Sequence, residues 1–209
     1  MLSVHRVTHR YGGGAPILRE ITFSYPRSGM LAVTGASGSG KTTLLAIIGG
    51  LIGPSDGGDM TFDGGAVPEP TWVFQLPNVL AHRRAADNVA VAALASGASW
   101  AGALDDAHVV LDRYGLGHVA AARARTLSGG EVQRLTLARA ETMGAPLLLA
   151  DEPTGQLDHA NTVMVAAALR RLADAGTTVV VATHDPSVSN MADATVALEN
   201  ATASYVDLS

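Results

Sequence analysis

Eight consecutive residues, Gly35-Ala36-Ser37-Gly38-Ser39-Gly40-Lys41-Thr42, have the spacing G-x-x-x-x-G-K-[ST] of a loop that grips phosphate. Glycines at 35, 38 and 40 let the backbone turn so that its N–H groups converge on phosphate oxygens. A helix starting at Lys41 adds its dipole and its unpaired first-turn amides at the same point. Lys41 would pair with the β and γ phosphates of a nucleoside triphosphate, and Thr42 would supply a magnesium ligand. The plain alternative is a flexible glycine turn, in a chain where 23 of 209 residues are glycine. Against it stands the placement of one ammonium group. The chain has 14 basic residues, and Lys41 is its only lysine. A compositional bias toward arginine would not choose where the single lysine sits.

Two further runs could do chemistry. Leu147-Leu148-Leu149-Ala150 is an apolar strand that ends in Asp151 and Glu152. A carboxylate at the C-terminal end of a parallel strand, beside a phosphate loop, is where magnesium would be held. Asp151 is the better metal candidate and Glu152 the better base for an attacking water, because consecutive strand residues point to opposite faces. An ordinary polar strand end before Pro153 is the alternative. The second run, Leu127-Ser128-Gly129-Gly130-Glu131, is followed by Gln133 and Arg134 and opens a helix. Ser128-x-x-Glu131 reads as a capping box. Gly129 and Gly130 are poor helix formers in a first turn and would leave the amides bare for a phosphate. Capping and phosphate binding use the same exposed donors, so both readings stand.

The elements that must position these residues follow a βαβ rhythm. Strands are expected at Leu2 to Val7, Ile17 to Tyr25 and Met30 to Thr34, punctuated by Gly12 to Gly14 and by Pro26 to Gly29. A helix from Lys41 to Ile48 is stopped by Gly49 and Gly50. Residues 53 to 70 read as turns around one short strand. From Asp87 to Arg125 the chain is alanine-rich and helical, which suggests an inserted helical subdomain. Beyond it come a helix after Ser128, the strand to Ala150 and a helix near Ala160 to Ala175, with Val165, Leu169 and Leu172 on one face. A strand at Thr178 to Thr183 and two short strands near Thr195 to Leu198 and Ser204 to Asp207 complete the series. Strands alternating with helices imply a parallel α/β sheet.

Bulk composition narrows the function. Hydrophobic residues make up 47% of the chain and charged residues 16%, which allows a real core and excludes a disordered chain. A formal charge of −5 argues against general nucleic-acid binding, which needs a basic face. With no cysteine there is neither a disulfide framework nor a thiolate zinc site. Met1 to Arg10 carries His5, Arg6, His9 and Arg10 and lacks the apolar segment of a signal peptide. No run approaches the ~18 apolar residues of a membrane helix, so work at a membrane would need another chain to span it.

The phosphate loop at 35–42, the Leu127 to Glu131 run and the stretch from Leu147 to Asp158 (LLLADEPTGQLD) resemble, in order and spacing, the nucleotide-binding domains of ABC transporters. Nearly the whole chain is covered. The resemblance implies a single ABC ATPase domain over 1–209. Its expected fold is a P-loop parallel-sheet α/β core with an N-terminal antiparallel β subdomain and a helical subdomain inserted at about 87–126. It implies an ATPase that binds ATP and Mg2+ and works on the cytoplasmic face of the cell membrane through a separate transmembrane permease subunit. In that family the Ser-Gly-Gly signature of one subunit meets ATP held by the other, which implies a homodimer with two shared sites. Residues 35–43 including Thr43, together with Ser128, Gly129, Gly130, Glu131 and Asp158, would then contact nucleotide.

Single positions match residue by residue. Gln75, after Trp72-Val73-Phe74, resembles the Q-loop glutamine that touches metal and water, joining Thr42 and Asp151 as metal ligands. His184 resembles the switch histidine at the γ-phosphate, Asp158 the D-loop aspartate and Tyr11 the aromatic that stacks on adenine. Read from the residues alone, Gln75 is a strand end, His184 precedes a helix start at Asp185-Pro186, Asp158 caps a helix with Asn161 three residues on, and Tyr11 is a loop aromatic. Phe74-Gln75, Asp87-Asn88-Val89 and the run Ala150 to Gly155 resemble the subgroup that drives lipoprotein release, macrolide and peptide export, or regulates cell-wall hydrolases. Three features depart from the family. The stretch from Lys41 to Gln75 is short, Glu141 stands where an apolar residue is usual, and the C-terminal strands lack an Asp-Gly turn. The alternatives to a transport motor are an ATP-switched regulator of a membrane partner and a soluble ATPase of translation or DNA repair.

Overall fold

Three short runs of nearly unbroken apolar residues build the centre of the molecule: β3 (Gly29–Thr34), β6 (Leu147–Asp151) and β7 (Thr178–Ala182). The computed structural model describes residues 1–26, 28–95 and 97–208. The expected turn at Pro26 to Gly29 passes through Arg27, and the expected helical stretch passes through Ser96; both residues lie outside the described ones. The remaining strands are β1 (Leu2–His9), β2 (Leu18–Tyr25), β4 (Asp59–Phe62), β5 (Thr71–Phe74), β8 (Ala194–Glu199) and β9 (Thr202–Asp207). The helices are α1 (Lys41–Ile48), α2 (Ala85–Ala95), α3 (Trp100–Arg113), α4 (Gly129–Met143), α5 (His159–Asp174) and the single turn α6 (Pro186–Ser189).

Two sheets form. A three-stranded antiparallel sheet has the order β2-β1-β4, and a six-stranded sheet has the order β5-β6-β7-β3-β8-β9. In the larger sheet all neighbours are parallel except the terminal β8–β9 hairpin. The apolar runs are continuous because both faces of this sheet are covered. Met30, Ala32, Leu148, Ala150, Val179 and Val181 face a core shared with α2 to α5. Leu31, Val33, Leu147, Leu149, Val180 and Ala182 face a second core shared with α1 and the antiparallel sheet. A slip of one residue would exchange the two sets, so packing pins the register.

That register gathers the ends of four strands. Phe74 pairs with Asp151, Asp151 with Ala182, and Ala182 with Val33. The residues that follow, Gln75, Glu152, Thr183–His184 and the 35–40 loop, therefore leave the sheet along one edge, where α/β proteins bind their ligands.

Two of the three departures from the family have local explanations. Glu141 of α4 forms an ion pair with Arg113 of α3, which gives the carboxylate a partner. Asn200 and Ala201 both take positive φ, 51° and 67°, and close the β8–β9 hairpin in the left-handed geometry for which Asp-Gly is the common choice.

Candidate functional site

The loop after β3 turns where the sequence supplies glycine. Gly35 has φ 145°, and a Cβ there would stand 2.6 Å from the Leu198 carbonyl oxygen. Gly40 has φ 101° and serves as the N-cap of α1 with no side chain to satisfy the first-turn amides. Those amides are the donors that an oxyanion would meet. Lys41 is 7% exposed, and its Nζ curls back to the carbonyls of Gly35 (3.0 Å) and Ala36 (3.2 Å). The ammonium is thus held over the loop it belongs to. A cleft of about 650 Å³ opens there, lined by the loop together with Thr42, Thr43, Gln75, Glu152 and His184.

Glu152 is the hinge of the site. It takes φ 46°, left-handed and rare for a side-chain-bearing residue, and its N–H is anchored on the Ala182 carbonyl at 2.9 Å. One carboxylate oxygen lies 3.4 Å from Lys41 Nζ, and the other accepts from His184 Nδ1 at 2.9 Å. Asp151, one residue earlier, points elsewhere and accepts from the Thr42 hydroxyl at 3.1 Å. Burial pushes the Asp151 carboxyl above the usual aspartate range; the Thr42 bond opposes this and the neighbouring Glu152 charge adds to it. The two acids therefore occupy different environments. Thr42, Asp151 and Gln75 offer only oxygen ligands, a donor set that suits a magnesium ion sharing its shell with phosphates and water.

Other expected residues lie outside the cleft of their own chain. Ser128 caps α4 with a complete capping box: Glu131 N–H donates to Ser128 Oγ, and Ser128 N–H donates to the Glu131 carboxylate at 2.8 Å. The Ser128 bonds hold Glu131 below the usual carboxylate range. Ser128 and Gly129 are exposed, whereas Gly130 is buried. Both glycines were expected to bare the helix end. Only Gly129 does so, with the nearest neighbour of an added Cβ 4.0 Å away; at Gly130 that atom would meet Asn161 Oδ1 at 2.1 Å. Gly130 therefore packs closely against Asn161.

Asp158 is the N-cap of α5, accepting from Asn161 N–H at 2.8 Å. Tyr11 is exposed; its hydroxyl lies 3.3 Å from Thr43 Oγ1, and the edge of His9 meets its ring at 4.8 Å. Sequence reasoning assigned no role to Gln133, Arg134 or Asn88. Asn88 is fully buried and bonds to Leu80 N–H and to the carbonyls of Leu80 and Arg84, which ties the loop after Gln75 to α2. A polar residue in a helical pattern reads as surface, so only tertiary contacts reveal it.

Comparison with known proteins agrees with the fold. A family model described as ABC transporter matches residues 18–155. Macrolide export ATP-binding/permease proteins MacB of Yersinia pestis (biovar Antiqua) and of Burkholderia pseudomallei are 34% and 37% identical over 96% and 90% of this chain. The matched region makes up 33% and 31% of those proteins, so the chain spans about a third of the length of these relatives. Among solved structures, dimeric MJ0796, a bacterial ABC transporter cassette, aligns with TM-score 0.86 and 28% identity over 100% of this chain and 99% of its own. Its post-hydrolysis dimer bound to ADP and Pi aligns with TM-score 0.84 and 26% identity, with the same coverage of both chains.

Proposed function

The chain belongs to the ABC transporter family as an ATPase cassette, and on that premise we propose that two copies close on two MgATP and hydrolyse them to drive a transmembrane permease. The carrying observation is the triad Lys41–Glu152–His184 at the mouth of the phosphate loop. Thr42 and Asp151 converge beside it.

In this reading the 35–43 amides and Lys41 bind the phosphates, and Tyr11 covers the base. Thr42, Asp151 and Gln75 hold magnesium, which supplies charge neutralisation at the phosphates. Glu152 accepts the proton of a water whose oxygen attacks the γ-phosphorus, while the bond to the β–γ bridging oxygen breaks and ADP departs. His184 orients Glu152 through Nδ1 and faces the same cleft. Support for pairing comes from Ser128 and Gly129. Their exposed helix end lies outside the cleft of its own chain, so a second copy is what would bring it to a nucleotide.

No helix among the described residues is long and apolar enough to cross a membrane. A permease partner would dock beside Gln75. There Trp72 and Phe74 stack at 5.3 Å, and an apolar groove of about 480 Å³ runs between them, Val91 and Met143. Placement on the cytoplasmic membrane face follows from such a partner.

The test is direct. Purified protein titrated with MgATP should bind it, release phosphate and double in mass by light scattering. Absence of affinity for MgATP would overturn the reading.

A further inference from the structure

Gln133 and Arg134 are neighbours on α4, only 2% and 9% exposed, and they reach different loops. Adjacent helix residues point about 100° apart, so one pair can serve two sides. Gln133 Nε2 donates to the Phe74 carbonyl at 3.2 Å, immediately before Gln75. Arg134 Nη1 donates to Asn161 Oδ1 at 2.7 Å. Asn161 in turn donates from Nδ2 to Asp158 Oδ2 at 2.9 Å and from its backbone N–H to Asp158 Oδ1.

The circuit closes on the far side. The Gln75 amide lies over Gly155, so near that a Cβ there would stand 3.0 Å from Gln75 Nε2, and Gly155 leads to Asp158 through two residues. Gly130 completes the seat, because only a residue without Cβ lets the first turn of α4 rest on the Asn161 amide. A third α4 side chain, Arg139, donates to the Asn78 carbonyl further along the loop after Gln75. A buried amide and guanidinium are costly unless bonded; Gln133 bonds through Nε2 and Arg134 through Nη1, while the buried Arg134 Nε has no partner among the described residues.

We propose that Gln133 and Arg134 are positioning residues that make α4 the common mount of Gln75 and Asp158. A load on the Ser128–Gly129 end of α4 then shifts both residues together, so closure on one nucleotide is felt at the other. This rests on the paired-ATPase reading and deepens it.

Gln133→Met keeps the side-chain length and removes the donor. Asn161→Ala opens the ring at a point that touches neither Phe74 nor Gln75. Both variants should speed amide exchange across 75–84 and 155–158 by more than about tenfold, while α1 and β6 keep wild-type protection. ATP turnover should fall by between about tenfold and a hundredfold with nucleotide affinity held within about twofold. Adding Gln133→Met to Gln75→Ala should cost no further turnover. Exchange confined to the loop nearest each substitution, or independent multiplying losses in the double variant, overturns the proposal. If the wild-type protein proves to hydrolyse no ATP, the proposed function fails by itself, and the exchange pattern still decides this inference.

Discussion

Lys41 Nζ and Glu152 Oε1 stand 3.4 Å apart, so the ammonium expected to grip phosphate already faces the carboxylate expected to take a proton. Glu152 holds this position at φ 46°, a left-handed conformation that costs on the order of 1 kcal/mol for a residue with a side chain. The strain aims the carboxylate into the cleft.

Glu152→Gln conserves shape and removes both the base and the charge opposite Lys41. Turnover should fall by about two to four orders of magnitude. Nucleotide affinity should be kept or raised, because Lys41 no longer has an internal anion. Light scattering with MgATP should show a long-lived pair. Hydrolysis at the wild-type rate would remove Glu152 from the mechanism.

Lys41→Ala takes away the only lysine in the chain. ATP turnover should be lost and MgATP affinity reduced by roughly a hundredfold or more, since charge-assisted contacts to phosphate are the strong ones. Near-normal phosphate release in a coupled assay would sink the site.

Asp151 gives a pH dependence with a definite sign. Its carboxyl is raised, first by burial, so it takes up a proton at a higher pH than an unperturbed aspartate near about 3.9. A protonated acid cannot hold magnesium. Mg-dependent ATP affinity should therefore fall on acidification at a higher pH than an unperturbed aspartate would produce. The raised group also costs stability above its folded pKa, and that cost disappears as pH falls. Asp151→Asn should unfold at a higher temperature than wild type at neutral pH and lose that advantage in acid, while binding MgATP poorly.

Gly129→Ala and Gly130→Ala should separate. At Gly130 the new methyl must displace an Asn161 amide held by Asp158 and Arg134, and unfolding by denaturant should show a loss of about 1–3 kcal/mol. At Gly129 the space is open, and the helix should be unchanged or stabilised by up to about 1 kcal/mol. Its loss should appear in turnover and not in stability, through the obstructed phosphate approach.

Asp193 ties β3 to α5. Burial works against its carboxylate, yet Arg170, the Met30 N–H and the Tyr25 hydroxyl together hold it below the usual range. A depressed pKa contributes stability above the unfolded value that is lost as pH falls through the folded one. Asp193→Asn should cost about 1–2 kcal/mol at neutral pH, reduced from a buried pair by partial exposure, and little in strong acid, as read by urea unfolding.

Contiguous features were legible in the sequence. The α1 boundaries, Lys41 and Ile48, agree residue for residue because glycines bracket the helix on both sides. β6 was readable from an apolar run and the pair of acids at its end. The close packing of Gly130 was not legible, because spacing reports backbone freedom and says nothing of a neighbour such as Asn161 from another helix. Gln133 went without a role for the same reason. Its partner, the Phe74 carbonyl, belongs to a distant strand.

Covalent order thus determined the phosphate loop, the helix it opens and the chemistry each acid could do, since those depend on residues adjacent in the chain. Tertiary structure decided that Glu152 meets Lys41 and His184, that Asp151 meets Thr42, and that α4 braces Gln75 and Asp158. The β5-β6-β7-β3 order puts these loops on one edge, and that order is set by burying both sheet faces at once, a condition no local stretch of sequence contains.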